Sequence, residues 1–415
     1  MAGLTEMQLC RSCGAPLTQV FADLGVSPPS NRYLRRDQLG EMEPFYPLRA
    51  MVCGRCWLVQ LPAFQTPGEI FGDYAYFSSY SSSWLDHAAE FAARATERLS
   101  LGSESRVVEI ASNDGYLLQY FQDRGIPVLG IEPAANVAET AIAKGVPTQV
   151  RFFGAETAAS LASDGWSADL LVGNNVLAHV PDLNDFVAGL RLLLKPDGVL
   201  TMEFPHLLEL MRGTQFDTIY HEHFSYLSLL AAECVFARHG IALFDVERLP
   251  THGGSLRVWG CRAEHGRAVA GPRVEALRRL ERDAGLDDPA AYSRFEAQVR
   301  AAKRSLLEFL IGARRQGKSI AGYGAPAKGN TLLNYCGVRS DLLDYTVDRS
   351  PHKQGLFLPG THIPIHAPSM ICETRPDYVL ILPWNLRDEI AGQIAHIREW
   401  GGRFVVPIPT TQVLP

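Results

Sequence analysis

Four side chains near the middle of the chain stand in a row, and each of them can take part in proton transfer: Tyr220, His221, Glu222 and His223. In a helical turn Tyr220 and His223 would share a face, whereas in an extended strand His221 and His223 would do so. Either geometry puts a phenol or an imidazole beside a carboxylate that can tune its pKa. The spacing differs from His-Glu-x-x-His, so the zinc-protease helix is excluded. We interpret the cluster as acid–base machinery, with a second metal site as the weaker alternative.

Two Cys-x-x-Cys pairs near the start of the chain have the spacing of metal knuckles. They are formed by Cys10 with Cys13 and by Cys53 with Cys56. Four thiolates are the tetrahedral set that zinc prefers, and a fourth protein ligand closes the site to chemistry. We therefore predict a structural zinc, which would replace a hydrophobic core that so short a segment could not build.

A turn of small residues lies between a predicted buried strand, Val107–Ile110, and a helix that starts near Tyr116. The next predicted strand ends in an acid, Glu132, and this order of elements is how a doubly wound sheet holds an adenosine ribose. The dinucleotide pattern Gly-x-Gly-x-x-Gly is missing, since Gly115 is the only glycine in the turn. Asp114 near the helix start suits a cationic ligand better than a pyrophosphate. The sulfonium of S-adenosylmethionine fits that description, and a purely structural turn is the alternative.

Alternating strand and helix patterns around this turn predict an α/β fold with a parallel sheet covered by helices on both faces. A turn is expected at 195–198, where the sequence reads Lys-Pro-Asp-Gly. The predicted strands are 107–110, 128–132, 148–152, 168–174 and 199–204, and the predicted helices are 84–99, 134–144 and 183–194.

Ligands of such a sheet bind beyond the carboxyl ends of the strands. We therefore predict that Pro133, after the second strand, and Asn174 and Asn175, after the fourth, contact the cofactor. His179 lies in the same loop as the two asparagines, and it is expected near the reacting groups.

The segment 71–83 is rich in phenols and hydroxyls and poor in charge. Such side chains offer neutral hydrogen bonds to a polyhydroxylated ligand, so this segment is predicted to be a lid. Its candidate contacts are Tyr74, Tyr76, Ser79 and Tyr80. A plain linker between the zinc segment and the main domain explains the composition equally well.

The last part of the chain repeats the strand–turn–helix pattern in a second, smaller unit. Its turn contains Gly322, Gly324 and Gly329, which would let a phosphate approach backbone amides, with Lys328 supplying charge and Asn330 a further contact. Tight packing of strand against helix explains the glycines about as well. Further strands are predicted at 343–347 and 378–382, with helices at 368–372 and 386–400. The preceding stretch, 260–317, is predicted to be helical and structural.

Composition limits the class of protein. A chain of 415 residues predicts two or three domains, and we place them at 1–72, 73–260 and 261–415. A net charge of −6 argues against nucleic acid or an anionic membrane surface as the main partner. No signal peptide or membrane-spanning run is visible, so a cytoplasmic protein is expected, with no obligate protein partner.

Four motifs together resemble the S-adenosylmethionine-dependent sugar C-methyltransferases. They are the paired knuckles, Glu-Ile-Ala-Ser-Asn-Asp-Gly-Tyr, Tyr-His-Glu-His-Phe-Ser-Tyr and Gly-Ala-Pro-Ala-Lys-Gly-Asn. The resemblance covers nearly the whole chain and is greatest to the dTDP-sugar 3-C-methyltransferases of antibiotic pathways, the tetronitrose type. It implies a zinc-binding segment, a class I methyltransferase domain and a Rossmann-like C-terminal domain that grips the nucleotide diphosphate.

The resemblance also implies roles for individual residues. His223 would be the base, with Tyr220, Glu222, His179 and Tyr74 around the sugar, which His221 would also contact. The predicted cofactor contacts in the turn and after the second strand are Glu109, Ala111, Asn113, Asp114, Gly115 and Glu132.

The expected function is methyl transfer to a carbon, C3 by preference over C5, of a dTDP-linked 4-keto-deoxysugar. Whether C3 carries an amine or a hydroxyl stays open. One alternative is an NAD-dependent oxidoreductase or epimerase that uses the 322–329 turn. The other is a non-catalytic zinc adaptor.

Overall fold

A computed structural model describes residues 8–66, 68–69 and 77–414. The strands are β1 Gln19–Ser27, β2 Tyr46–Val52, β3 Val59–Gln60, β4 Val107–Ile110, β5 Val128–Ile131, β6 Thr148–Gln149, β7 Ala168–Asn174, β8 Leu194–Pro205, β9 Ser225–Tyr226, β10 Ile241–Leu249, β11 Ser255–Arg262, β12 Ile320–Tyr323, β13 Tyr345–Val347, β14 Ile365–His366, β15 Tyr378–Ile381, β16 Arg403–Val406 and β17 Gln412–Leu414. The helices are α1 Ser82–Leu99, α2 Leu118–Gln122, α3 Ala135–Ala143, α4 Ala155–Ser163, α5 Leu183–Leu193, α6 Leu207–Arg212, α7 Leu229–Ala237, α8 Pro272–Asp283, α9 Pro289–Arg315, α10 Ala327–Cys336, α11 Met370–Thr374 and α12 Arg387–Gln393. Among these helices none combines the length and the apolar character that crossing a lipid bilayer requires.

The N-terminal strands form a small antiparallel sheet in the order β1-β2-β3-β9. Its last strand comes from the central part of the chain, directly after the Tyr220–His223 cluster. The sheet packs on α9, where Phe21 stacks on Phe295 with ring centroids 4.5 Å apart and Trp57 stacks on Tyr292 at 6.0 Å. The expectation that zinc replaces a core is therefore wrong in one respect, because this segment shares a core with α9, which is distant in the sequence.

The central sheet has the order β10-β11-β8-β7-β4-β5-β6. Strands β8, β7, β4, β5 and β6 are parallel to one another. The inner strands β4, β5 and β7 are buried on both faces, which explains their nearly unbroken apolar sequences. The hairpin of β10 and β11 is antiparallel and was not predicted. The expected turn at 195–198 lies inside β8 as a bulge, because the pairing jumps from Ala168 with Leu194 to Leu170 with Val199.

The C-terminal sheet has the order β14-β13-β12-β15-β16-β17, and only β17 is antiparallel to its neighbour. This is the second α/β unit that the sequence predicts, although β14, β16 and β17 were not foreseen. The predicted 386–400 helix is interrupted after Gln393. The apolar stripe of α9 is buried as predicted, from Tyr292 to Leu310.

Candidate active site

One cavity of about 1130 Å³ lies beyond the carboxyl ends of the central parallel strands. Residues from all three parts of the chain form its wall, including Tyr33, Glu132, His223 and Lys328. A pocket for one drug-sized ligand measures roughly 300–1,000 Å³, so this cavity has room for two ligands side by side. The predicted cofactor turn and the predicted acid–base cluster therefore open into the same space.

The cofactor side of the cavity is built by the turn after β4 and the acid after β5. Ala111 and Asn113 adopt left-handed backbone conformations, with φ of 57° and 50°. The Glu132 carboxylate accepts hydrogen bonds from the amides of Asn113 and Ala134, each at 2.9 Å. These bonds hold the acid at the cavity wall, next to Pro133, after the second strand of the parallel pattern.

Two side-chain oxygens in this wall are suited to a ligand that donates hydrogen bonds. Asn174 Oδ1 and Asn175 Oδ1 are buried, and no donor reaches them from the described residues. A buried acceptor without a donor is costly. The amino group and ribose hydroxyls of S-adenosylmethionine are donors, so the residues present fit this cofactor.

Three predicted cofactor residues lie behind the wall instead of in it. Glu109 is fully buried beneath the turn, where burial raises the pKa of its carboxyl well above the ordinary value. Asp114 pairs with Lys144, at 3.1 Å, so a lysine occupies the place that we expected a cationic ligand to take. Gly115 has φ of 79°, and a Cβ there would lie 3.0 Å from Val146. These residues support the turn from below.

The predicted lid is described only in part. Tyr74 and Tyr76 lie outside the described residues. Ser79 contacts Lys144 and the Asp114 carboxylate, and Tyr80 is 79% exposed, so the structure places neither in the cavity wall. Their neighbour Ser78 does line the cavity, and its amide donates to Asn113.

His223 is held in one orientation and one tautomer. Its Nδ1 lies 2.9 Å from the carbonyl oxygen of Thr218. Because a carbonyl can only accept, Nδ1 carries the proton and Nε2 keeps the lone pair. The ring centroids of Tyr220 and His179 lie 4.0 and 4.7 Å from that of His223. Burial, together with His179 nearby, lowers the pKa of His223 well below the ordinary value, so the imidazole is neutral and its Nε2 lone pair is free to accept a proton.

The other titratable groups of the cluster are buried as well. Burial lowers the pKa of His179 to about 4 and raises the pKa of Glu222 to about 7. The Glu222 carboxylate accepts a hydrogen bond from Asn31 Nδ2 at 2.7 Å. Asn31 belongs to the N-terminal segment and was not predicted, since nothing in its local sequence indicates a partner 191 positions away.

His221 faces the opposite direction. It is 3% exposed, its Nε2 lies 3.2 Å from the carbonyl oxygen of Pro47, and the rings of Tyr46 and Phe64 surround it. The structure thus separates His221 from the cavity, contrary to the expected contact with substrate. Of the two geometries considered for the cluster, the turn that brings Tyr220 beside His223 is the one observed.

The C-terminal unit supplies a cationic wall. Lys328, at the start of α10, lines the cavity, donates to Asn385 Oδ1 at 2.7 Å and lies 4.6 Å above the Trp384 ring. Trp384 in turn donates to Asp217 at 2.7 Å, and burial raises the pKa of this carboxyl to about 6. Asn330 is buried and donates to the carbonyl of Ser30, so it holds two units together and does not reach the cavity.

His252 is a site residue that the sequence analysis missed. It lies in the hairpin turn between β10 and β11 with φ of 55°, lines the cavity, and packs edge-on against Trp84 at 5.2 Å. Burial lowers the pKa of this imidazole to about 4. The signal that could have found it is the sequence Thr-His-Gly-Gly between two strand-like runs.

The four knuckle cysteines meet as predicted. Their sulfur atoms all lie within 4.8 Å of one another, with Cys10 3.6 Å from Cys56 and Cys13 3.5 Å from Cys53. Thiolates around zinc at about 2.3 Å stand about 3.8 Å apart in a tetrahedron, so the cluster fits this ion.

Three family models cover most of the chain. They are a zinc binding domain over residues 10–71, a methyltransferase domain over 84–245 and a C-methyltransferase C-terminal domain over 250–409.

Two relatives and one solved structure are similar to the chain to different degrees. The C-methyltransferase NovU of Streptomyces niveus is 36% identical over 405 residues, which are 98% of this chain and 96% of the relative. A ubiquinone biosynthesis O-methyltransferase of Chelativorans sp. is 29% identical over 96 residues, 23% of this chain and 38% of the relative. A crystal structure of a Pyrococcus horikoshii protein is 16% identical with a TM-score of 0.37, covering 48% of this chain and 99% of that one. Full-length similarity to NovU and the order of the three domains show that the chain belongs to the S-adenosylmethionine-dependent C-methyltransferases.

Proposed function

We propose that this enzyme transfers a methyl group from S-adenosylmethionine to C3 of a dTDP-linked 4-keto-deoxysugar. The observation that carries the proposal is that the turn at Ala111 and Asn113 and the imidazole of His223 open into one cavity. Carbon methylation needs a carbanion, and a carbonyl next to the carbon makes its hydrogen acidic enough for a side-chain base to remove. The cavity has the size for both reactants.

His223 is the proposed base. Its Nε2 lone pair takes the C3 proton while the Thr218 carbonyl holds the ring through Nδ1–H. The electron pair of the broken C3–H bond moves into the sugar and places negative charge on the C4 oxygen. The resulting imidazolium is adjacent in sequence to the Glu222 carboxylate, which favours its formation when ionised.

The developing charge on the C4 oxygen requires a hydrogen-bond donor. Tyr220 lines the cavity and packs against His223, so its hydroxyl is placed to supply one. The neutral His179 imidazole donates its one N–H to the backbone carbonyl of Glu222 and lines the cavity beside the base. When bound, S-adenosylmethionine supplies an electrophilic methyl group. The C3 carbanion forms a bond to this carbon as the carbon–sulfur bond breaks, and holding both substrates in one cavity provides much of the acceleration.

The C-terminal wall is the proposed site of the nucleotide diphosphate. Lys328 brings a positive charge to the cavity, and the first residues of α10 bring the amide end of a helix dipole. Its positive charge contrasts with the acidic cofactor side at Glu132. The anionic diphosphate would therefore bind at the Lys328 wall and the cationic cofactor at the Glu132 wall.

Deuterium exchange tests the mechanism without methyl transfer. The enzyme is incubated in heavy water with a dTDP-4-keto-6-deoxysugar and S-adenosylhomocysteine, and C3 is monitored by NMR. We expect deuterium at C3 with the wild type and none above background with His223→Asn. Exchange that is equal in the two proteins would remove His223 from the base role.

Product analysis tests the substrate. A panel of ketosugar nucleotides with an amine or a hydroxyl at C3 is incubated with S-adenosylmethionine, and mass spectrometry follows the gain of one methylene. NMR of the product then separates C3 from C5 methylation. The proposal fails if no ketosugar nucleotide gains a methylene under conditions in which the protein binds S-adenosylhomocysteine.

A further inference from the structure

The first zinc knuckle lies directly against the loops that carry the proposed catalytic histidines. Arg11, between Cys10 and Cys13, donates from Nη1 to the carbonyl of Pro181 at 2.8 Å and from Nη2 to the carbonyl of Leu61. Its guanidinium also lies 5.4 Å from the ring centroid of Phe224. Pro181 follows His179 by two positions, and Phe224 follows His223 by one. A single side chain from the knuckle thus touches both loops.

The knuckle is tied to the same loops through its backbone. The Arg11 amide donates to Gln60 Oε1 at 2.9 Å, and Gln60 Nε2 reaches the Cys10 sulfur at 3.2 Å. Gln60 belongs to β3, which pairs with β9, so that Gln60 lies opposite Ser225. On the other side Asn184, at the start of α5, donates to the carbonyl of Arg11 at 2.9 Å. The cysteine cluster and both loops form one hydrogen-bonded unit.

The two loops are also joined to each other at this point. The amide of Phe224 donates to the carbonyl of Ala178 at 2.7 Å, and the amide of Leu61 donates to the carbonyl of Phe224 at 3.0 Å. Four thiolates around a zinc ion carry a net negative charge, and Arg11 places its positive charge between that centre and the loops. A displacement of the knuckle would therefore be felt at His179 and His223 together.

We propose that Arg11 is a positioning residue, which transmits the order of the zinc knuckle to the loops that hold His179 and His223. The inference rests on the proposed function for the roles of these two histidines. It gives the zinc site a second task beyond stabilising the N-terminal sheet. Placement errors of about 1 Å at reacting groups cost on the order of 100-fold in rate, so a residue that acts in this way affects kcat more than binding.

The chain provides a matched control in its second knuckle. Arg55 lies between Cys53 and Cys56, as Arg11 lies between the first pair, but it is exposed and on the outer surface. Arg11→Ala and Arg55→Ala are compared for zinc content, for amide hydrogen exchange in peptides covering 177–183 and 218–227, and for steady-state kinetics. Arg11→Lys keeps the positive charge but lacks the planar guanidinium group that donates to two carbonyls at once.

For Arg11→Ala we expect the full zinc content, exchange in both peptides faster by about tenfold, and kcat lower by about 10- to 100-fold with KM for either substrate within about threefold. Arg55→Ala should match the wild type in every measurement, and Arg11→Lys should recover only part of the lost kcat. If Arg11→Ala fails to fold, the same measurements on Arg11→Lys test the positioning role of Arg11.

Two results would overturn the proposal. One is unchanged exchange in both peptides with unchanged kcat, and the other is loss of zinc from the Arg11 variants, which would assign Arg11 to the metal site alone. The exchange measurement needs no sugar. If exchange responds as expected while no ketosugar nucleotide is methylated, the positioning role stands and only the proposed substrate is wrong.

Discussion

The two α/β units place the same kind of turn after the first strand of the pattern, but the turns differ in what lies against them. The central turn opens into the cavity through Ala111 and Asn113, whereas the C-terminal turn is packed at Gly324 and reaches the cavity only from Pro326 to Lys328. In both units an acid after the next strand bonds a turn amide: Glu132 accepts from Asn113 at 2.9 Å, and Asp348 accepts from Ala325 at 2.7 Å. The local hydrogen bonding is therefore alike. The difference comes from what the neighbouring strand places over the turn.

Beside the central turn, β7 ends at Asn174 and is followed by Asn175, and no donor from the described residues reaches either amide oxygen. Beside the C-terminal turn, β15 is followed by Pro383, and a Cβ at Gly324 would lie 2.6 Å from this ring. The Ala325 carbonyl also accepts from Tyr33 and Lys353.

The C-terminal glycines thus serve close packing, one of the two explanations open at the outset. Gly324 and Gly329, which the oxidoreductase alternative needs for NAD, are packed against Pro383 and Leu382, and only the start of α10 reaches the cavity. The comparison teaches that a strand–turn–helix sequence does not by itself distinguish a ligand site from a packed corner.

The largest effect is expected for a pair of substitutions, one in each unit, of which one should impair the chemical step and the other the binding of substrate. His223→Asn should lower kcat by about 100- to 10,000-fold, because it removes a base, and should leave the affinity for S-adenosylhomocysteine within about twofold. Lys328→Met should instead raise KM for the sugar nucleotide, because it removes charge from the proposed diphosphate wall. Steady-state kinetics and calorimetry check both. If the Lys328 variant had a lower kcat and an unchanged KM, Lys328 would act in the chemical step and not in binding the diphosphate.

A matched pair of acids tests the two turns directly. Glu132→Gln should weaken S-adenosylhomocysteine binding by about 10- to 100-fold, since an acceptor for the ribose is lost. Asp348→Asn makes the same kind of change in the C-terminal turn and should leave that affinity within about twofold. Isothermal titration calorimetry measures both. Equal losses in the two variants would contradict the difference between the turns.

A side chain added at Gly324 should lower the stability of the protein without weakening the binding of S-adenosylhomocysteine. Gly324→Ala should lower the free energy of unfolding by about 1–3 kcal/mol, because the new methyl meets Pro383 and φ is 89°. Gly401→Ala is the control for backbone strain alone, since φ there is 83° and nothing lies within 4 Å of the added Cβ. Chemical denaturation should show the larger loss for Gly324→Ala. The idea of a filled corner fails if the two losses are the same.

The smallest expected effect is a pH dependence of turnover, which would come from Glu222 in the cavity wall. Burial raises the pKa of Glu222 to about 7, so the carboxylate forms as the pH rises through this value. We expect this charge to favour the imidazolium of the neighbouring His223, so turnover should rise severalfold over the same range. Glu222→Gln should abolish this rise of turnover with pH. Because the pKa of His179 is lowered to about 4, no loss from its protonation is expected until the pH falls near that value. Profiles of wild type and variant that coincide would contradict the assignment.

The sequence predicted elements well wherever local pattern was decisive. Strands β4 and β7 were predicted with the observed bounds, because their apolar runs are buried on both faces. The hairpin of β10 and β11 was missed because its two strands are joined by a short turn with no helix between them, which departs from the alternation of strand and helix in the rest of the sheet. Asp114 was assigned to the ligand because Lys144 is 30 positions away and its approach depends on how α3 packs.

By itself the sequence determined the cysteine spacing, the buried strands, the small-residue turn and the presence of Tyr220, Glu222 and His223 on one short segment. These features depend on chemistry and periodicity within a few residues. The tertiary structure alone decided that His221 faces away from the cavity, that Asn31 meets Glu222 and that Arg11 joins the zinc knuckle to both histidine loops. Such contacts connect parts of the chain that are distant in sequence, and they arise only when the three units pack around one cavity.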